Sequence, residues 1–217
     1  MTTSFDGSFF DEDYYERGIT SGKGWLMDYR WMPIRSFKEA LASVDYFDID
    51  KNSHVLDFGC AKGFLVKALR ILEINSCGCD ISEYALSFAP DGCWNCSDKL
   101  SFENHKDDGY THVVAKDVLE HLNQEQLHEV LLNIKKISPR MMCVIPIGDN
   151  GVYRIKEYHT EVSHLIVENE EWWRQQFIEA GWTIRKDCPH VPGLKDNWQS
   201  YANGIGNHVY IINRDVR

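Results

Sequence analysis

The stretch Val55-Leu56-Asp57-Phe58-Gly59-Cys60-Ala61-Lys62-Gly63-Phe64-Leu65 constrains this chain more than any other. A short apolar run ends beside an acid, a turn carrying Gly59 and Gly63 follows, and a helical pattern begins. A strand that turns through glycines into a helix lets backbone approach a ligand and sets a helix N-terminus beside it, as nucleotide sites require. The dinucleotide fingerprint G-x-G-x-x-G needs a glycine where Ala61 stands. That gap counts against a nicotinamide-dependent oxidoreductase and leaves Asp57, two places before Gly59, to be explained.

The alternation of strand and helix patterns continues along the chain. Strands are expected at 54–58, 74–81, 93–97, 111–115, 141–145, 182–185 and 208–212, with 100–103 as the alternative for the third. Helical spacing marks 62–72, where Leu65, Ala68, Leu69 and Leu72 share a face, and 124–137, where Leu127, Val130, Leu131, Ile134 and Ile137 do. Asn169 reads as the N-cap of a further helix ended by Gly181. A helix is also expected from Ile34 through Val44, and a short one at 24–30 before Pro33. This is an α/β pattern with a mostly parallel sheet covered on both faces, and two closing strands imply an antiparallel edge hairpin. The aromatic-rich first 23 residues (Phe9, Phe10, Tyr14, Tyr15) are expected to pack on the body, and the long polar stretch 148–168 to be functional.

Composition narrows the partners. The 217 residues suit one domain with a sizeable core. A formal charge of −10, with no basic cluster beyond pairs such as Lys135-Lys136, disfavours nucleic acid. No apolar run approaches the ~20 residues of a membrane helix, and residues 1–6 do not read as a secretory signal; a cytoplasmic protein is expected. Cys77-x-Cys79 with Cys93-x-x-Cys96 could in principle hold zinc, but apolar strands favour buried, reduced thiols for the seven cysteines, and no metal is expected.

Four motifs together resemble class I S-adenosylmethionine (SAM) methyltransferases acting on small molecules, ubiquinone-pathway types included. They are D-x-G-x-A-x-G from Asp57 to Gly63, Gly78-Cys79-Asp80-Ile81-Ser82, Lys116-Asp117-Val118-Leu119-Glu120-His121-Leu122, and Ser163-His164 followed by Glu171-Trp172 and Ala180-Gly181-Trp182. Ala61 replaces the family's middle glycine and Ser163 its threonine; both substitutes are small. The resemblance implies a Rossmann-like, doubly wound sheet of seven strands, mostly parallel with an antiparallel C-terminal strand. It also implies an N-terminal arm (1–45) capping the site and a SAM-binding domain (46–217).

The resemblance further implies roles. Asp57 and the turn Gly59, Cys60, Ala61 and Gly63 would hold the methionine end of SAM, with Asp117 and Val118 lining it. Asp80, 23 residues past Asp57 at a strand end, would accept from both ribose hydroxyls. Ile81 would pack on the adenine and Asp98 accept from its amino group. Arg30 offers a planar fork for the cofactor carboxylate. Methyl transfer asks mainly for alignment and exclusion of water, plus a base where the acceptor is a protonated oxygen or nitrogen. His164 and His121 are the candidates. A nucleic-acid or protein methyltransferase and a non-catalytic SAM-binding module are the alternatives.

Overall fold

The computed structural model describes residues 4–97, 109–196 and 206–214. Seven strands form the main sheet: β1 (His54–Phe58), β2 (Asn75–Asp80), β3 (Trp94–Asn95), β4 (His112–Lys116) and β5 (Arg140–Pro146), then β8 (Trp182–Cys188) and β9 (Asn207–Arg214). Their spatial order is β3-β2-β1-β4-β5-β9-β8. The chain winds outward from β1 through β2 to β3, then crosses back so that β4 lies against the other side of β1, both pairings parallel. That reversal is a topological switch point, where loops leaving the carboxyl ends of β1 and β4 part and open a crevice.

Alternation along the strands sends side chains to two cores. Leu56, Phe58, Val113, Ala115 and Cys143 meet Leu127 and Leu131 of α5 (Gln124–Ile137) and Trp173 and Phe177 of α6 (Glu170–Glu179). Val55, Val114, Met142 and Val144 face Ala40 of α2 (Pro33–Tyr46) and Leu65 and Leu69 of α3 (Phe64–Ile71). The fold class expected from the sequence is therefore the one observed, and the third strand falls within 93–97. Asp98 lies outside the described residues.

The closing hairpin forms one edge of the sheet, as expected: β9 runs antiparallel between β5 and β8, and β8 is terminal. Asn207 to Ile212 are all buried, as an inner strand requires, whereas β8 carries exposed Arg185 and Lys186, which an edge tolerates. One expectation needs correcting: 24–30 is not helical. The helix lies earlier, as α1 (Glu12–Ser21), capped by the Asp11 side chain accepting from Tyr14 N at 3.1 Å and ended by Gly22 in the left-handed region. The chain then folds back: Met27 bridges to Arg17, Tyr29 N donates to Tyr15 O at 3.2 Å, and Asp28 takes a φ of 49° that a helix cannot continue through. Pro33 opens α2 as its first residue, where the missing N–H costs nothing.

The arm packs as expected. Phe10, Tyr14 and Tyr15 are buried with Ala85 of the short helix α4 (Glu83–Leu86), against half-buried Phe5, Phe9 and Ile81. Glu16 pairs with buried Lys62, and the Ser82 hydroxyl donates to Phe10 O. The stretch 148–168 holds a small hairpin of β6 (Gly148–Asp149) and β7 (Val152–Tyr153), turned through Asn150 and Gly151 at φ 52° and 77°, and then a 3-10 turn at Lys156–Thr160. No helix of the described residues is long and apolar enough to cross a membrane.

Candidate cofactor site and catalytic cavity

The glycine turn is pinned to the end of β2. Gly59 N and Cys60 N both donate to Cys79 O, at 2.8 and 2.9 Å, and Gly63 N donates to Cys60 O at 2.8 Å. Asp80 completes the tie: its Oδ2 accepts from Ala61 N at 2.7 Å and its Oδ1 from Ser82 N at 2.8 Å. A carboxylate has about four lone-pair sites, so an acceptor on each oxygen remains for a ligand. Burial pushes the Asp80 carboxyl above its ordinary range, opposed by the N–H donors of Ser82, Ala61 and Ile81. Gly59 sits at φ +76°, and a Cβ there would lie 2.3 Å from Val118 Cγ2. The backbone can therefore come close to a ligand only because the side chain is absent.

Two adjoining cavities open at the carboxyl edge of the sheet. The first lies between the arm and the switch point, walled by Phe10, Tyr14, Asp80, Ile81, Val118 and His121 among others. The second is lined by Arg35, Glu39, Asp57, Cys60 and Lys116, and Gly59 and Tyr29 border both. Asp57 is buried, and burial followed by the Glu39 charge drives its carboxyl well up, so a cation arriving here would be welcomed. Lys116 reaches Asp117 at 3.0 Å and Glu39 at 3.6 Å, and though burial opposes it, Asp117 and Glu39 keep its ammonium charged. Both signs of charge therefore line one small space, which suits a zwitterion such as the amino-acid end of SAM. Arg30 stands on the outer wall, its side chain 72% exposed and paired with Asp28 at 3.2 Å. Arg35, in the first turn of α2, borders both cavities and was not singled out by the sequence.

At the wall of the first cavity the DVLEH run and the post-β5 loop meet. Asp117, at φ 56°, starts the bend, and Leu119–His121 forms a 3-10 turn. Burial raises the Asp117 carboxyl, but ion pairs with Lys116 and Lys195 overcome this and hold it low. His121 and His164 face one another, ring centroids 4.7 Å apart. His121 Nδ1 is 2.9 Å from Ser163 Oγ, and Ser163 Oγ donates to Glu161 Oε1 at 2.8 Å. A hydroxyl has one proton; spent on Glu161, it leaves Ser163 to accept from His121 Nδ1–H, so His121 Nε2 carries the free lone pair. Burial holds the His121 pKa down to about 4 and, with His121 next, drives that of His164 well below the ordinary value. Both rings are neutral at pH 7. Burial and then Asp117 raise Glu120 to about 8.

The expected residues Asp80, Ile81, Gly59, Ala61, Asp117, Val118, His121 and His164 thus border one cavity; Asp57 and Cys60 border its neighbour, and Gly63 caps α3. The sequence reading gave no role to Lys116, Lys195 or Glu120. Glu120 stands inside a motif already noticed; Lys195 lies in a Gly/Pro-rich segment whose sequence carries no signal for it. All seven cysteines are free thiols, and among the described residues no metal-spaced cluster includes one.

No protein-family model and no curated protein matches the chain. Solved structures do. A chain of the Haloferax volcanii complex between the Trm112 methyltransferase activator and a methyltransferase is 16% identical, with a TM-score of 0.66 over 86% of this chain and 92% of that one. Magnesium protoporphyrin IX methyltransferase of Synechocystis PCC 6803, with S-adenosylhomocysteine bound, is 16% identical, with a TM-score of 0.58 over 84% of each chain. The cyclase SpnF is 12% identical, with a TM-score of 0.61 over 83% of this chain and 82% of that one. At these identities the likeness is one of fold, and the fold of this chain is that of the Rossmann-like class I methyltransferases.

Proposed function

We propose that this chain is a SAM-dependent methyltransferase that moves a methyl group to an oxygen or nitrogen of a small-molecule acceptor. The observation that carries the reading is the pair of joined cavities, one presenting the Asp80 carboxylate beside the glycine turn and the other presenting Asp57, Glu39, Arg35 and Lys116. Asp80 would hold the ribose, Ile81 would pack on the adenine, Asp117 and Val118 would line the methionine side, and the mixed charges would take the ammonium and carboxylate of the methionine end. Arg30 would assist from the rim, and Asp98 would accept from the adenine. SAM supplies a methyl on a sulfonium, already activated for transfer to a lone pair.

The chain's own residues then have three tasks. The aromatic arm, within residues 1–45, covers the cavity built by 46–217 and keeps water from it. The cavity walls orient the acceptor in line with the methyl. His121 and His164, neutral and lining the cavity, are the groups available to take the acceptor's proton. Charge favours a small acceptor: the chain carries −10, and the first cavity is aromatic-walled.

Calorimetric titration with SAM and S-adenosylhomocysteine tests the reading: micromolar binding of both is expected, with none for NAD(H). No binding at millimolar ligand would sink it. The fold is shared with a protein named as a cyclase, so a second reading keeps SAM but not transfer. Labelled-methyl transfer to a panel of hydroxylated and amino metabolites separates the two.

A further inference from the structure

We propose that Glu120, His121 and His164 form a binding site for one divalent first-row transition-metal ion, with an open coordination position facing the first cavity. One carboxylate oxygen and one nitrogen from each ring all lie within 4.8 Å of one another. In a tetrahedral zinc site, ligand atoms about 2.1 Å from the metal stand roughly 3.4 Å apart, so side-chain adjustments of about an ångström would close the set. All three residues line the same cavity.

The second observation is the state of the buried polar atoms. Glu120 is fully buried, yet neither of its carboxylate oxygens has a hydrogen-bond partner. The nearest positive candidate is His164 Nε2, 3.8 Å away and beyond hydrogen-bond reach. His164 Nδ1 is also buried without a partner. Buried polar groups in folded proteins are almost always satisfied, and a cluster that is not asks for a missing ion or ligand. The arrangement around His121 points the same way. Its Nδ1–H is held by Ser163, which is held by Glu161, so Nε2 presents a lone pair; metal-bound histidines are oriented by such a contact on the other nitrogen. Lys116 and Lys195 both pair with Asp117 and leave it no free charge to offer.

Ligand type sets the metal class. Two imidazoles and one carboxylate suit Zn²⁺, Fe²⁺, Co²⁺ or Mn²⁺, whereas Mg²⁺ and Ca²⁺ favour sets of oxygens. Three protein ligands with a position left open is the pattern of reactive rather than structural sites. A ring whose lone pair is on a metal cannot also take a proton. Where the ion is bound, the acceptor heteroatom would fill the open position and its acidity would come from the metal. This last role rests on the methyltransferase reading; the binding of the ion does not.

The test uses the full chain stripped with chelator and titrated with Zn²⁺, Co²⁺, Mn²⁺ and Mg²⁺ by calorimetry, with Co²⁺ followed by its visible absorption. One ion per chain is expected, with Mg²⁺ far weaker than Zn²⁺. Glu120→Gln and His164→Asn should each weaken binding at least about 100-fold, while circular dichroism shows both folded. Cys188→Ser, a thiol on β8 outside the set, should leave it unchanged. Wild-type affinity in either variant, thiolate charge-transfer bands with Co²⁺, or Mg²⁺ preferred to Zn²⁺ would each overturn the proposal. SAM titration run alongside keeps the two readings apart, since ion binding without SAM binding defeats only the methyltransferase reading.

Discussion

Replacing Asp80 by asparagine tests the cofactor reading at one pair of atoms. The carboxylate now accepts from Ala61 N at 2.7 Å and Ser82 N at 2.8 Å, one bond to each oxygen. A carboxamide keeps one acceptor and turns the other into a donor, so one of these N–H groups would meet an NH₂. Without ligand the two effects of the change oppose each other. The orphaned N–H costs about 1–3 kcal/mol, while removing a buried charge returns a similar amount of desolvation. The melting temperature should therefore move little. With ligand the effects no longer cancel. Two ribose hydroxyls lose a shared anionic acceptor, and hydrogen bonds to charged groups contribute about 1.5–3 kcal/mol each. Loss of one and weakening of the other comes to about 2–4 kcal/mol, a rise in Kd of roughly 30- to 900-fold. Calorimetry with S-adenosylhomocysteine measures it, and an analogue lacking the ribose hydroxyls is the control, expected to bind variant and wild type alike. A change in Kd below about threefold, or an equal loss for the analogue, would refute the assignment of Asp80.

Other substitutions probe other parts. Gly59→Ala places a Cβ 2.3 Å from Val118 Cγ2 at φ +76°; it should cost at least about 1–2 kcal/mol in thermal melts and abolish SAM binding, and adding Val118→Ala should restore only part. Gly7→Ala puts a Cβ 2.0 Å from Ile81 O, so the arm should lift, seen as faster cleavage of residues 4–20 in limited proteolysis. His112 is buried, and its Nε2 accepts from Arg140 Nη1 at 3.2 Å. Burial and then Arg140 lower its pKa from 6.5 to about 4, so the unfolded chain binds more protons between those values. Its contribution is intact above pH 6.5 and is lost as pH falls to about 4, by at most about 3 kcal/mol; His112→Gln should flatten that part of the stability–pH curve. Trp173 and Trp182 are both buried, but only Trp182 Nε1 has a partner among the described residues, Leu131 O at 3.2 Å; Trp182→Phe should cost about 1 kcal/mol more than Trp173→Phe in denaturant melts.

The main sheet was legible because its strands announce themselves locally. Asp57 and Asp80 each sit at the end of an apolar run, and a parallel α/β sheet puts such ends on one edge. What failed was long-range. The 24–30 segment has helical composition, but its backbone is set by pairing with α1, ten residues earlier. In the site, the glycine turn and the DVLEH run carried their own spacing. Lys195 and Arg35 reach the cavities only through tertiary folding, from a loop after β8 and the first turn of α2. The Ser163–His121 contact spans 42 residues, and no local rule could have fixed the histidine tautomer.

The arm supplies Phe10, Tyr14, Tyr15 and Tyr29 to the cavity wall, so whatever fills the cavity is gripped by the arm and the sheet edge at once. Thermodynamic linkage makes that grip reciprocal. Any factor by which the docked arm tightens a ligand is returned, unchanged, as a tightening of the arm. Residues 4–32 therefore act as a reporter of occupancy, and hydrogen exchange along them reads out ligand affinity without an assay for the reaction.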